Sequence, residues 1–380
     1  MSDVNDAVRE MVEAQVGDGT QIGIQVAAVL DGEAIVDVAA GSMGPDDDRP
    51  VRHDTLFASF SVTKGVAALA LAQLVDRGLL DVDEPVAAVW PEFAANGKEA
   101  VTVAQAVSHQ AGLHAMPEPF ALEHLMDWDA GLARMAQARP AWEPGSAVGY
   151  HAVTFGWIVG GIVAGATGRH IRDWVRTEIA EPLGVAGELS IGVDGPTDDP
   201  DRFATLEIVA AGEGFDIPAD SDFYRAMPRA MWEHYNSTEV RRACMPGANG
   251  HFSARALARL YAALAAGGEV DGVRLVGADA LAVATRVRAR ATDRVLGIPL
   301  RYGLGFQLGG TMPVAGGGEV HGAMGPRETT FGHGGAGGST AFADPVTGLG
   351  VAVTINKMAY PAPGTGPTVE ICELIRSAVS

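Results

Sequence analysis

Two runs rich in β-branched and apolar residues, 22–31 (IGIQVAAVLD) and 33–41 (EAIVDVAAG), meet at Asp31-Gly32. That dipeptide between strand-like runs suits a tight hairpin turn, so the chain is expected to open with antiparallel strands after a short helix near residues 3–16. Residues 339–344 and 348–357 (GLGVAVTINK), joined through Pro345-Val346-Thr347, repeat the pattern near the other end. Between these ends the apolar positions of 62–77, 102–108, 152–166, 170–179 and 253–266 recur with the helical period of about 3.6 residues. Gly78, Gly168 and Gly267 stand where C-terminal caps belong. Segments 185–222 and 311–330 are rich in Gly, Pro and Asp, lack periodicity and are expected to be long surface loops.

The simplest architecture for this order is of the α+β class. One antiparallel sheet is built from both chain ends and flanked by helices, over residues 1–82 and 295–380, with a mostly helical lobe of 83–294 inserted. A groove between two such lobes is the natural place for a site. The most apolar stretch, 152–168, falls short of the roughly 18 to 20 residues that cross a bilayer. Its glycines at 156, 160, 161 and 165 suit close helix packing in a core, so it is read as a buried helix.

Composition narrows the partners. A chain of 380 residues with 47% hydrophobic and 19% charged residues can bury a large core. Its formal net charge of −20 argues against nucleic acid, which requires a basic patch, and against an anionic membrane surface. An anionic substrate would need a locally positive site. Cys244 and Cys372 have no companion in CxxC spacing and are expected to be reduced structural thiols. The stretch Met1-Ser2-Asp3-Val4-Asn5-Asp6 has neither a basic nor an apolar leader segment, and a cytoplasmic location is expected.

The sharpest chemical signal is Ser61-Val62-Thr63-Lys64, at the start of the helix expected to run to Arg77. The i to i+3 spacing places hydroxyl and amine on one face, about a turn apart. A serine hydroxyl needs a base to become a nucleophile, and a lysine serves only when burial or a second positive group lowers its pKa. The helix N-terminus adds free N–H groups for the oxyanion formed on attack. Ser61 equally satisfies the requirements of a plain N-cap.

Further segments decide between these readings. Leu56 to Lys64 (LFASFSVTK), Val107 to Leu113 (VSHQAGL), Glu143-Pro144-Gly145 ahead of Tyr150, and Phe331 to Ser339 with Asp344-Pro345 follow one another in order over nearly the whole chain. In this the sequence resembles the β-lactamase-like serine hydrolases, which include class C β-lactamases, D,D-peptidases and family VIII carboxylesterases. The resemblance implies a β-lactamase/transpeptidase-like fold with Ser61, Lys64 and Tyr150 as catalytic residues. It also implies an oxyanion hole from the Ser61 and Ala336 amides, and His333, Gly334 and Gly335 in the substrate-binding third motif. A phenol beside an ammonium can ionise more easily, so Tyr150 is expected to accept the Ser61 proton as phenolate. Many relatives carry Asn two residues after this tyrosine; here Ala152 stands there, which removes an amide contact to a substrate acylamino group. β-Lactamases usually carry Lys-Thr-Gly in the third motif. With His333 instead, an uncharged acyl substrate is favoured over a penicillin.

Competing motifs fail on context. Gly332 to Gly337 satisfies GxGxxG but precedes a strand near the C-terminus, where a dinucleotide loop has no βαβ unit to open. No GxSxG elbow is present, and His109, His114, His321 and His333 lack metal-ligand spacing, the first two being expected to be structural. Two segments studded with aromatics and methionines, 116–128 and 215–235, are candidates for the acyl pocket. The expected function is therefore a serine carboxylesterase acting on small uncharged esters through an acyl-enzyme on Ser61, with no cofactor and no metal. A peptidase, amidase or β-lactamase on the same fold, an acyltransferase, and an inactive ligand-binding relative are the alternatives.

Overall fold

The computed structural model describes residues 3–119, 121–195, 198–210, 212, 216–313 and 317–379. Its centre is a nine-stranded sheet whose neighbours all pair antiparallel. The strand order is Asp47–Pro50, Glu33–Gly44, Gly23–Leu30, Leu349–Ile355, Thr340–Asp344, Phe331–Gly334, Gln307–Leu308, Pro299–Tyr302 and Ala289–Thr292. The expected hairpin turns at Asp31 and Gly32, both at positive φ (49° and 86°), as a tight twisted turn requires. The chain ends then zip together, Ile24 opposite Ile355 through Leu30 opposite Leu349.

Helices cover both faces of this sheet. Asp3–Gly17 and Pro367–Ala378 bury Val8, Val12, Ile371 and Ile375 against Ile24, Val26, Val351 and Val353. On the other face Ala254–Ala265, capped by the Ser253 hydroxyl accepting from Ala256 N at 3.1 Å, packs on the central strands. Gly350 permits that approach, because a Cβ there would lie 2.3 Å from Ala262 N. Buried on both sides, Leu349–Ile355 is apolar at every position but Thr354 instead of alternating.

Two elements inside the segment expected to be the helical lobe, 83–294, lie with the sheet: helix Ala254–Ala265 and strand Ala289–Thr292. The 185–222 segment also departs from a surface loop. Its strand Leu189–Ile191 pairs with Gly250–Phe252, which pairs in turn with Phe57–Ala58 just before Ser61. A buried three-residue strand between Gly and Asp residues offers too few positions for any period to register. Within 311–330, Met312–Pro313 and Glu319–Val320 form a small ribbon.

The apolar stretch after Tyr150 becomes helix Phe155–Thr167, closed by Gly168 at φ 70°. Its glycines make room for indole rings: a Cβ at Gly160 or Gly161 would come within 2.2 Å of Trp128 or 2.3 Å of Trp90. Among the described residues no helix is long and apolar enough to cross a membrane. Cys244 and Cys372 are both free and buried, and burial pushes each thiol up to about 12.

Candidate active site

Ser61 stands at the N-cap position of helix Val62–Asp76 without a side-chain capping bond, and the helix is buried nearly all round between strand Phe331–Gly334 and helices Phe155–Thr167 and Ala278–Thr285. Phe60, immediately before, sits in the left-handed region at φ 46°, an arrangement that costs energy for a non-glycine residue. Its surroundings impose it. The Thr63 hydroxyl donates to Phe60 O and accepts from Gly250 N at 2.7 Å, while the Phe60 ring packs against Tyr235, 4.4 Å between centroids. This corner turns the strand into the helix and leaves the Ser61 hydroxyl facing the site.

Lys64 is fully buried one turn further on. Its Nζ donates to Ala152 O and Gly247 O, both at 2.6 Å, and lies 3.1 Å from Ser61 Oγ. Burial with no carboxylate bonded to it holds the amine well below the ordinary lysine value of 10.5. A neutral amine has two N–H groups and one lone pair. With both N–H groups on carbonyls, the lone pair is left for the serine.

Tyr150 reaches the same hydroxyl from the opposite wall, its phenol oxygen 2.7 Å from Ser61 Oγ. The Lys64 amine lies 4.7 Å from the centre of its ring. Here the structure corrects the sequence reading. Burial raises the phenol above its ordinary value of 10.0; the hydrogen bond to Ser61 opposes this and the negative charge of Asp293 adds to it. These surroundings favour a protonated phenol donating to Ser61 Oγ, and burial lowers the pKa of Lys64.

The third motif lines the same cavity on strand Phe331–Gly334 and the turn after it. Gly335 lets this turn close on the serine loop, since a Cβ would sit 2.4 Å from Ser59 O. Among the described residues neither the Ser61 nor the Ala336 amide donates to a protein acceptor, and both residues border the cavity. His333 is buried and neutral, its pKa lowered to about 3 chiefly by burial and then by Lys64. Its Nδ1 stands 2.7 Å from Gly334 O.

The cavity holds about 550 Å³. Its remaining wall is mainly apolar, with Ile217, Phe223, Met227, Leu296, Ile298 and Tyr360 among its residues and, among the described residues, no lysine or arginine. Of the two segments rich in aromatics and methionines, 215–235 contributes to this wall and, among the described residues, 116–128 does not. Phe120 and Phe215, within those segments, lie outside the described residues. The wall contributed by Leu296, Ile298, Tyr302 and Gln307 carries no motif, so only its spatial proximity identifies it. His109 and His114 are both buried. His109 packs edge-on against Tyr302 at 4.5 Å, and His114 pairs with Asp222 at 3.0 Å.

A serine within reach of a buried lysine and a tyrosine, beside a sheet closed by both chain ends, fits a serine hydrolase. Residues 8–370 match the family model described as Beta-lactamase, and the chain belongs to that family. It is 36% identical over 375 residues to the esterase/beta-lactamase LipL of Mycobacterium tuberculosis, covering 94% of this chain and 83% of that one. The crystal structure of a family VIII carboxylesterase superposes with a TM-score of 0.87 at 34% identity, covering 99% and 98% of the two chains. A penicillin-binding protein homolog from Caulobacter crescentus gives the same TM-score at 39% identity, with the same coverage. With esterases among its relatives, this family member is a serine hydrolase that acts on esters.

Proposed function

We propose that this protein is a carboxylesterase for small uncharged esters, working through an acyl-enzyme on Ser61. The observation that carries this reading is the convergence of Lys64 Nζ (3.1 Å) and Tyr150 Oη (2.7 Å) on Ser61 Oγ at the edge of an uncharged cavity. Ser61 Oγ attacks the ester carbonyl as its proton passes to the Lys64 lone pair. The oxyanion takes hydrogen bonds from the Ser61 and Ala336 amides, donors worth about 3 kcal/mol each in such sites. Collapse breaks the bond to the alcohol oxygen, which leaves with the proton relayed through the Tyr150 phenol. Water then attacks the acyl-enzyme, its proton going to Lys64; the bond between the acyl carbon and Ser61 Oγ breaks, Oγ takes that proton back, and the carboxylic acid departs.

Ser61→Ala should lower p-nitrophenyl butyrate turnover roughly 10⁴-fold or more. A fluorophosphonate should add to Ser61 alone by intact mass and peptide mapping. Full turnover by Ser61→Ala, or a label elsewhere, would overturn the assignment. The name of the Mycobacterium tuberculosis relative supports a second reading, slow cleavage of β-lactams at the same serine. The neutral His333 and the uncharged wall offer a substrate carboxylate no cation, so nitrocefin should be hydrolysed far more slowly than the ester. The reverse order would reverse the preference.

A further inference from the structure

Asp293 is fully buried, yet it belongs to no motif and does not touch the cavity. Its Oδ1 accepts from Tyr150 N at 3.1 Å and from Val295 N and Leu296 N, both at 2.9 Å, and the Tyr302 hydroxyl donates to its Oδ2 at 3.4 Å. The turn that follows is closed by Gly297 N donating to Asp293 O (2.8 Å) and Asp293 N to Ile298 O (2.9 Å). Arg294 N donates to Val148 O at 2.8 Å, so this turn is laced to the segment that carries the tyrosine. Its Leu296 and Ile298 are cavity wall. One carboxylate thus ties the backbone of Tyr150 to the face against which an acyl group would lie.

We infer that Asp293 is a positioning residue of the hydrolytic reaction: its carboxylate fixes the backbone of Tyr150 against Ser61 and sets the register of the cavity wall. The inference rests on the esterase reading. The ionisable groups around Tyr150 are Ser61 and Lys64 on their helix, His109 after helix Val103–Val107, the adjoining His151, Tyr302 on strand Pro299–Tyr302 and His333 on strand Phe331–Gly334. Burial holds the three histidines neutral at the pH of assay. Asp293 is the carboxylate in hydrogen-bond contact with Tyr150, and its charge opposes a second negative charge on the phenol. Burial lifts its own carboxyl above the ordinary range, a shift that the three amides on Oδ1 resist. Those amides are a reason for it to remain ionised where the enzyme works.

Asp293→Ala tests this, because it removes the acceptor that three N–H groups share, and Asp293→Asn, whose amide oxygen still accepts from them, is the matched conservative variant. Thermal melting, kcat and KM with p-nitrophenyl butyrate are measured beside Ser61→Ala and Tyr150→Phe. The expected result is a folded Asp293→Ala with kcat at least tenfold lower and a raised KM, and an Asp293→Asn within about threefold of wild type in both. In a Tyr150→Phe background Asp293→Ala should lower kcat less than threefold, since the loss in kcat acts through the phenol. Wild-type kcat in Asp293→Ala would overturn the inference, as would equal losses in kcat with and without Tyr150. If Asp293→Ala does not fold, Asp293→Ser carries the same expectations. Failure of both to fold, where Tyr150→Phe folds, would make Asp293 a scaffold residue and also end the proposal. An active Ser61→Ala would instead strike the esterase reading, whatever Asp293 does.

Discussion

With both its N–H groups committed to Ala152 O and Gly247 O, neutral Lys64 has one lone pair available, and Ser61 Oγ is the group within reach of it. The electrostatics of the site follow from burial: a cation is disfavoured at residue 64 and an anion at residue 150, so amine and phenol are each driven to their neutral forms. A neutral amine accepts and a neutral phenol donates, which divides the two roles. Activity should accordingly rise with pH through the depressed pKa of Lys64, with the acidic limb below the ordinary 10.5. It should fall again only where the raised phenol begins to ionise. Lys64→Arg, which keeps a permanent charge, should abolish turnover of p-nitrophenyl butyrate at every pH. A kcat/KM profile that climbs only above pH 10, or an active arginine variant, would count against Lys64 as the base.

At the level of elements, the site depends on how closely the helices approach one another. Helix Phe155–Thr167 follows Tyr150 directly, and it reaches its place because Gly160 and Gly161 leave space for Trp128 and Trp90. Gly161→Ala would put a methyl 2.3 Å from the Trp90 ring, a rigid group in a packed interior. It should destabilise the protein by roughly 1–3 kcal/mol, read as a lower urea midpoint at unchanged m-value. Since the helix carries its strain back to Tyr150, kcat should fall as well. An unchanged midpoint would show that the indole yields more easily than its packing implies. The Ser61 corner has the same character: Phe60 at φ 46° is tolerated because Thr63 and strand Gly250–Phe252, 187 residues beyond Thr63, hold it.

For the molecule as a whole, the net charge of −20 and the uncharged cavity act in the same direction. Esters bearing a carboxylate meet a repulsive field on approach and no cation on arrival. A hemisuccinate ester should show a kcat/KM about tenfold or more below that of its neutral isostere at low ionic strength, with the gap narrowing as salt is added. A gap that does not respond to salt would place the discrimination inside the cavity and not in the field.

The legible part of this protein was what repeats or clusters locally. Two strands meeting at Asp31-Gly32, the periodic helices and the four-residue Ser61–Lys64 spacing each need only neighbours along the chain, so the sequence alone determined them. Tyr150, 89 residues from Ser61, emerged through likeness to a family and not through spacing. The wall at 296–307, the strand Leu189–Ile191 beneath the serine corner and the Asp293 clamp carry no local pattern, because each is defined by a partner distant in sequence. Tertiary structure alone decided the direction in which the amine and the phenol are pushed. Residue types allow a lysine either charge and a tyrosine either role, and it is the loss of water on burial, with the carbonyls and the carboxylate that replace it, that selects one.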